Sequence, residues 1–331
     1  MPQKSLLFTA LKKILHIPEK NPPFVQIAVT NLCNKNCHMC LRNQIALDLL
    51  HMDLEEFKTI VDGLEGTESI TLHGMGEPLI YPHLMEVIGY CKSKNIKTRF
   101  TTNGILLREK ASALVDAALD IIHLSVENPQ QKGFLSDILE LKRIRDQREV
   151  STPRLVLQPI LFHETSNNGN SKTVDTVYEL IKWGGEHGID MVNIARVDLR
   201  TDASMIRPNL DEEKQVGMEL SKLRKKYPHM RIDFLQDQVY TDLKGFLYKY
   251  LKHFLRLDSW CYRFQDYTYI DVNGNVHPCP IDSGQIMGNV FEQSLHEIWT
   301  GDRYNYLRKH QEEFDFCRRC DFLKLKQVSP V

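Results

Sequence analysis

At 331 residues, 42% hydrophobic and 26% charged, the chain has the composition of an ordinary globular protein, long enough for one large domain with a smaller appendage. Lysine plus arginine (42) nearly balance aspartate plus glutamate (43), and the net charge of −1 excludes a broad basic surface for nucleic acid. No apolar run approaches the ~20 residues needed to span a bilayer and no signal-peptide pattern opens the chain, so a cytoplasmic protein is expected, in which clustered cysteines bind metal rather than form disulfides.

Residues 4–16 are expected to form a short amphipathic helix, with Leu7, Leu11, Ile14 and Leu15 on one side and Lys12 and Lys13 on the other. It reads as a cap on the main domain in preference to a membrane-surface contact. Pro18, Pro22 and Pro23 end it. A strand–helix alternation follows. Strands are expected at Phe24–Leu32, Ser69–His73, Lys97–Thr101, Asp120–Val126, Leu155–Phe162 and Met191–Val197. Helices fall between them at Asp53–Leu64, Tyr81–Ser93, Leu107–Ala118, Gly133–Arg148 and Thr173–His187. Asp53 is the expected N-cap of the first, with Glu56 as its capping-box partner. Such an alternation implies βαβ units, right-handed crossovers and a parallel sheet with ligands at one rim.

Residues 163–172 form a polar loop at that rim. After residue 198 the rhythm breaks. Asp211–Tyr227 reads as a charged helix, Arg231–Leu235 as a further strand and Lys244–Leu257 as an amphipathic helix whose aromatic stripe belongs to a core. Alternating apolar residues around Asn273-Gly274 predict a hairpin, followed by helices at Ser294–Trp299 and Arg303–Phe314. The expected organisation is a helix and linker over 1–23, an α/β core over 24–200, a bridging segment over 201–260 and a small α+β domain over 261–331.

The chemistry sits in two cysteine sets. Cys33, Cys37 and Cys40 follow the first strand with C-x3-C-x2-C spacing, and His38 lies inside their loop. Soft thiolates select zinc, copper(I) or iron–sulfur, and a closed structural site wants four protein ligands. Three ligands suggest a cluster with one iron left open. Cys261, Cys279, Cys317 and Cys320 form the second set, whose four thiolates suit either zinc or a fully ligated [4Fe-4S] cluster. Cys91 reads as a buried thiol. Gly74-Met75-Gly76-Glu77-Pro78 follows the second strand and Thr102-Asn103-Gly104 the third, where glycines let backbone approach a ligand.

The C-x3-C-x2-C spacing, with Gly74–Pro78 downstream, resembles the radical S-adenosylmethionine (radical SAM) enzymes. The resemblance implies a partial (βα)6 TIM-like barrel and a [4Fe-4S] cluster on Cys33, Cys37 and Cys40. It also implies reductive cleavage of S-adenosylmethionine to a 5′-deoxyadenosyl radical. Met39 stands where the family usually has an aromatic residue near adenine. The resemblance assigns Gly74, Gly76, Glu77 and Pro78 to the methionine amino group, Asn103 to a mainly structural turn, Ser125 and Glu127 to ribose and carboxylate, and Ile194 and Ala195 to adenine. Gln158 and Arg196 face the expected barrel mouth as substrate contacts, while His73 and His123 are not assigned as bases.

The C-terminal set resembles the twitch or SPASM appendage of these enzymes. Full SPASM domains carry seven cysteines, so the four here imply one auxiliary cluster and two clusters per chain. The expectation is an oxidoreductase acting on a small polar metabolite such as a carbohydrate or cyclitol, fed electrons by a flavodoxin- or ferredoxin-type protein. Modification of a ribosomal peptide or protein is the alternative, weakened by the short segment before the first strand. A non-catalytic iron–sulfur or zinc scaffold would need neither Gly74–Pro78 nor Ser125 and Glu127.

Overall fold

In the computed structural model, the alternation expected from the sequence is present. The described residues are 20–37, 40–43, 45, 47–161, 163–164, 171–196, 205–206, 210–234, 261–280 and 284–318. The helices expected at 4–16 and 244–257 lie outside them. Strands are β1 (Phe24–Ile27), β2 (Ser69–Thr71), β3 (Lys97–Thr102), β4 (Ile121–Leu124), β5 (Arg154–Leu157), β6 (Ile160–Leu161), β7 (Met191–Arg196), β8 (Arg231–Phe234), β9 (Tyr267–Ile270), β10 (Asn275–His277) and β11 (Gly288–Asn289). Helices are α1 (Leu54–Asp62), α2 (Leu84–Ser93), α3 (Leu107–Asp116), α4 (Lys132–Gln147), α5 (Thr173–Glu186), α6 (Leu210–Lys226), α7 (Leu295–Thr300), α8 (Asp302–Lys309) and α9 (Asp315–Arg318). No described helix is long and apolar enough to cross a membrane.

The chain divides into two compact units. One comprises Met1–Cys33, Leu47–Arg99 and Ser259–Leu323; the other comprises Asn34–Ala46, Phe100–Asp258 and Lys324–Val331. In the first unit β2 pairs in parallel with β1 and with the opening residues of β3. Val25, Ile27, Ile70 and Leu72 are fully buried, as period-two burial of a covered sheet requires. Helix α1 starts as expected at Asp53, whose Oδ1 accepts from the N–H groups of Glu55 and Glu56 at 2.8 and 3.3 Å. The full capping box occurs instead at α7, where Ser294 and Glu297 exchange bonds. Strand β9, expected only as half of a hairpin, also pairs in parallel with β1, from Phe24↔Tyr267 to Ile27↔Ile270. Its antiparallel partner β10 completes the predicted hairpin. Gly274 turns that hairpin at φ +78°, a left-handed conformation suited to glycine.

In the second unit β4, β5, β7 and β8 pair in parallel in that order. The strand expected at Leu155–Phe162 is interrupted at Gln158-Pro159, where proline cannot donate to a ladder, and resumes as β6 beside β7. The polar loop begins and ends as a short antiparallel pair, His163–Glu164 with Ser171–Lys172, and Met205–Ile206 joins it. Arg145 of α4 is buried and binds Asp190, which precedes β7, with Nη1 to Oδ2 at 2.6 Å. The same carboxylate oxygen accepts from Leu155 N–H at 2.7 Å, so one buried ion pair ties a helix to two strands.

Arg145 Nε also meets Asp146 Oδ1 at 3.0 Å, so removing Asp190 leaves the buried guanidinium one half-exposed carboxylate and strips Leu155 N–H of its acceptor. Asp190→Ala is expected to lower stability by about 2 kcal/mol, read from denaturant unfolding. The exposed pair of Lys214 with Asp211 is the control, and Asp211→Ala should cost well under ~1 kcal/mol.

Candidate functional site

Beyond β1 the chain continues through Ala28–Leu32 to Cys33 without joining a regular ladder. Backbone bonds hold it instead: Ala28 N–H to Ile270 O at 2.9 Å, Asn31 N–H to Leu50 O at 3.1 Å and Met52 N–H to Val29 O at 2.9 Å. The turn Gly74–Pro78 lies directly on this segment, and Glu77 N–H donates to Leu32 O at 2.8 Å. A Cβ on Gly76 would meet Thr30 O at 2.4 Å and Leu32 O at 2.5 Å. A Cβ on Gly74 would meet the Ala28 Cβ at 2.5 Å and the Tyr269 hydroxyl at 3.0 Å. Both glycines are therefore demanded by close approach. Glu77 is buried, and its Oε1 accepts from Leu79 N–H at 3.0 Å, capping the single turn that opens with Pro78.

In the second unit, Cys37 and Cys40 are joined through their backbones. Cys40 N–H donates to Cys37 O at 3.0 Å, and the same carbonyl accepts from Asn43 Nδ2 at 2.9 Å. Asn103 reaches this loop: its Nδ2 donates to Asn34 Oδ1 at 2.9 Å while its Oδ1 accepts from Ile105 N–H at 3.0 Å. Ser125 and Glu127 come together at the end of β4. Ser125 Oγ donates to Glu127 Oε1 at 3.1 Å, and Ile160 N–H donates to Oε2 at 2.9 Å. Burial pushes the Glu127 carboxyl above its ordinary value, opposed by those two bonds and by Lys35. Ile160 pairs with Ala195 in the β6–β7 ladder, which links Glu127 to the strand carrying Ile194 and Ala195. Ile194 is buried, Ala195 and Gln158 are half-buried, and Arg196 ends β7. Met39 and His38 lie outside the described residues.

The C-terminal cysteines return to the first unit. Cys261 is clamped through its backbone by the fully buried Gln311, whose Oε1 accepts from Cys261 N–H at 2.6 Å. Gln311 opens the turn leading to α9, where Cys317 is buried and its N–H donates to Phe314 O at 3.0 Å. Cys279 follows β10, and its thiol lies close enough to Tyr267 and Tyr304 to add to the burial that raises both phenols. Cys320 lies outside the described residues. Sequence reasoning missed Gln311 because a lone glutamine carries no motif. It also missed Gln26, whose signal was a polar residue inside the apolar run Phe24–Val29.

Among the described residues no three His, Cys, Asp or Glu side chains lie in a metal-coordinating group. The fit to iron–sulfur and S-adenosylmethionine rests on the donor chemistry and on the two-glycine cradle. Soft thiolates suit the cluster, and Gly76 brings bare backbone to the segment that ends in Cys33.

The comparisons agree. The Radical SAM superfamily model matches residues 27–207, and the SPASM model, an iron–sulfur cluster-binding domain, matches residues 261–321. The GTP 3′,8-cyclase of Chlorobaculum tepidum is 35% identical over 117 residues, covering 34% of this chain and 35% of that protein. The chain thus spans about a third of that relative's length. The tungsten-containing aldehyde ferredoxin oxidoreductase cofactor-modifying protein of Pyrococcus furiosus is 24% identical over 347 aligned positions, covering 92% of this chain and 90% of that protein. Streptococcus suis SuiB, solved bound to precursor peptide SuiA, shares the fold at TM-score 0.68 and 17% identity, over 96% of this chain and 73% of that one.

Gly76→Ala forces two backbone carbonyls aside and is expected to cost about 2–3 kcal/mol, with loss of S-adenosylmethionine retention in equilibrium dialysis. Gly89 lies in α2, where an added Cβ would meet nothing within 4 Å; Gly89→Ala should stabilise by roughly 0.5–1 kcal/mol. Glu127 gives a pH signature. Its folded pKa is raised, so between the ordinary glutamate range and the raised value the folded state holds a proton the unfolded chain has lost. Stability then falls as pH rises through that window, and Glu127→Gln should flatten the slope in denaturant unfolding at successive pH values.

Proposed function

The chain belongs to the radical SAM superfamily and carries a C-terminal SPASM iron–sulfur domain, which makes it an enzyme that uses S-adenosylmethionine and [4Fe-4S] clusters, and from that premise we propose that it carries out a two-electron oxidation of a small polar metabolite. Cys33, Cys37 and Cys40 hold the cofactor-binding cluster, and Cys261, Cys279, Cys317 and Cys320 hold one auxiliary cluster. When bound, the first group with S-adenosylmethionine supplies hydrogen-atom abstraction, and the second, ligated by four cysteines with no iron open, supplies an electron acceptor. The observation that carries this reading is a second thiolate set complete enough to close its cluster, on a domain whose strand β9 pairs directly with β1.

The chain's own residues do the positioning. Gly74 and Gly76 let the turn seat against Ala28, Thr30 and Leu32, and in this reading that seat places Glu77 to accept from the cofactor's ammonium group. Ser125 and Glu127 take the ribose and carboxylate, Ile194 and Ala195 the adenine with Met39, and Asn103 steadies the cysteine loop through Asn34. Gln158 and Arg196 are the substrate contacts of this reading. We read 24–200 as the catalytic core, 201–260 as a bridge and 261–331 as the auxiliary domain, with a flavodoxin- or ferredoxin-type protein as reductant.

Anaerobically reconstituted protein given dithionite is expected to convert S-adenosylmethionine to 5′-deoxyadenosine; no conversion would refute the reading. Iron should be about eight per chain, and Cys317→Ala should lower it to about four. About four irons plus zinc in the unaltered protein would remove the auxiliary cluster.

A further inference from the structure

One face of the first unit's sheet carries a row of polar side chains in register. Gln26, Thr71 and Arg99 stand side by side on β1, β2 and β3, through Gln26↔Thr71 and Thr71↔Arg99. Strand β9 adds Tyr267 opposite Phe24, two residues before Gln26 and on the same face. The row is bonded together. The Tyr267 hydroxyl donates to Gln26 Oε1, Gln26 Nε2 donates to His73 O at 2.8 Å, and Arg99 Nε donates to Thr71 Oγ1 at 2.9 Å. Arg263 lies over the Tyr267 ring, 5.6 Å from its centroid. His73 immediately precedes the Gly74–Pro78 turn, so the row adjoins the cofactor cradle.

Arg99 is the anomaly in this row. It is half-buried, yet among the described residues its single hydrogen bond uses Nε and no carboxylate pairs with it. The charged or ionisable groups that bear on it are a phenol and a second guanidinium. Tyr267 supplies no counter-charge, because its hydroxyl donates a hydrogen bond to Gln26 Oε1 and is therefore the neutral phenol. A cation withdrawn from water needs a partner or it destabilises the fold. Both terminal nitrogens of the Arg99 fork remain for one, in the geometry that takes two oxygens of a carboxylate or phosphoryl group.

We propose that Arg99, with Arg263 and the Tyr267–Gln26–Thr71 row, binds an anionic group of the substrate, carboxylate or phosphoryl, so that the metabolite oxidised is an acid and not a neutral polyol. This rests on the enzymatic reading above but is read by a separate measurement. Arg99 is then a specificity-determining contact, and Thr71 and Gln26 hold the fork and the phenol in place.

The test is thermal unfolding of the reconstituted, anaerobic full chain titrated with inorganic phosphate, succinate or chloride at matched ionic strength. A saturable rise in Tm with phosphate alone assigns a phosphoryl group, with succinate alone a carboxylate, and with both the shared anion chemistry. Arg99→Gln should weaken the apparent affinity about tenfold or more. Arg99→Lys, which keeps the charge without the fork, should fall between. The proposal is overturned if neither anion exceeds chloride in the unaltered protein, or if both variants respond as it does. It is also overturned if saturating S-adenosylmethionine abolishes the response, since the anion would then be standing in for the cofactor's carboxylate. Failure of the enzymatic reading shows independently, as absence of 5′-deoxyadenosine in samples without added anion.

Discussion

Two stretches of backbone meeting at contact distance, with no side chain between them, are the constraint on which the site depends. Gly76 lies against the carbonyls of Thr30 and Leu32, and Glu77 N–H consumes the second of these. That contact sets where the chain stands when it reaches Cys33. It also fixes the direction of the Glu77 carboxylate, which cannot swing because Leu79 N–H holds it. A methyl group at Gly76 would separate the two segments and lose the bond, the cradle and the carboxylate's aim together. The price of such closeness is conformational entropy, offset here by bonds that leave neither segment free to move.

The C-terminal domain is part of that arrangement. Strand β9 covers an edge of β1 that would otherwise present unpaired backbone groups. Its Tyr269 packs with Ala28 and Val272, joined by Leu50, and its hydroxyl approaches Gly74. The hairpin turn reinforces this, since Asn273 Nδ2 donates to Asp48 Oδ2 at 3.0 Å, and Asp48 O accepts from Asn31 Nδ2 at 3.1 Å. Cys261 and Cys279 therefore flank a hairpin that pairs with the strand leading to Cys33. Disturbing β9 is a disturbance of the cradle.

Three arginines, two buried and one half-buried, show how the fold treats a positive charge withdrawn from water. Arg145 has Asp190. Among the described residues Arg308 has no carboxylate, but it lies against Trp299 and Tyr304 at 4.2 and 4.9 Å and donates to the carbonyls of Phe264 and Trp299, both at 2.8 Å. Burial still lowers its pKa to about 10. Arg99 has one hydroxyl. The first is met by charge, and the second by carbonyls and aromatic faces except at Nη2, which is buried without a hydrogen-bond partner among the described residues. Among the described residues Arg99 has neither a carboxylate nor a carbonyl, and an external anion is the partner we propose for it.

The sequence by itself determined what local chemistry encodes. The thiolate spacings, the βα rhythm, the N-cap at Asp53 and the hairpin at Asn273-Gly274 are each written within a few residues, and period-two and helical patterns carry them. The glycine turn was legible as a motif, and the structure supplied the two carbonyls that demand it. Strand limits were less legible: Phe24–Leu32 looked continuous, but its ladder stops at Ile27 because Val29 and Asn31 bond to the segment Leu50–Met52 instead. Only the tertiary structure decided that β9 lies parallel to β1, that Gln311 clamps Cys261, and that Tyr267 meets Gln26 across 241 positions of chain. Such pairings are chosen by the burial and hydrogen bonding of distant segments, which no local pattern records. That Arg99 lies near a phenol and another arginine is a fact of the same kind.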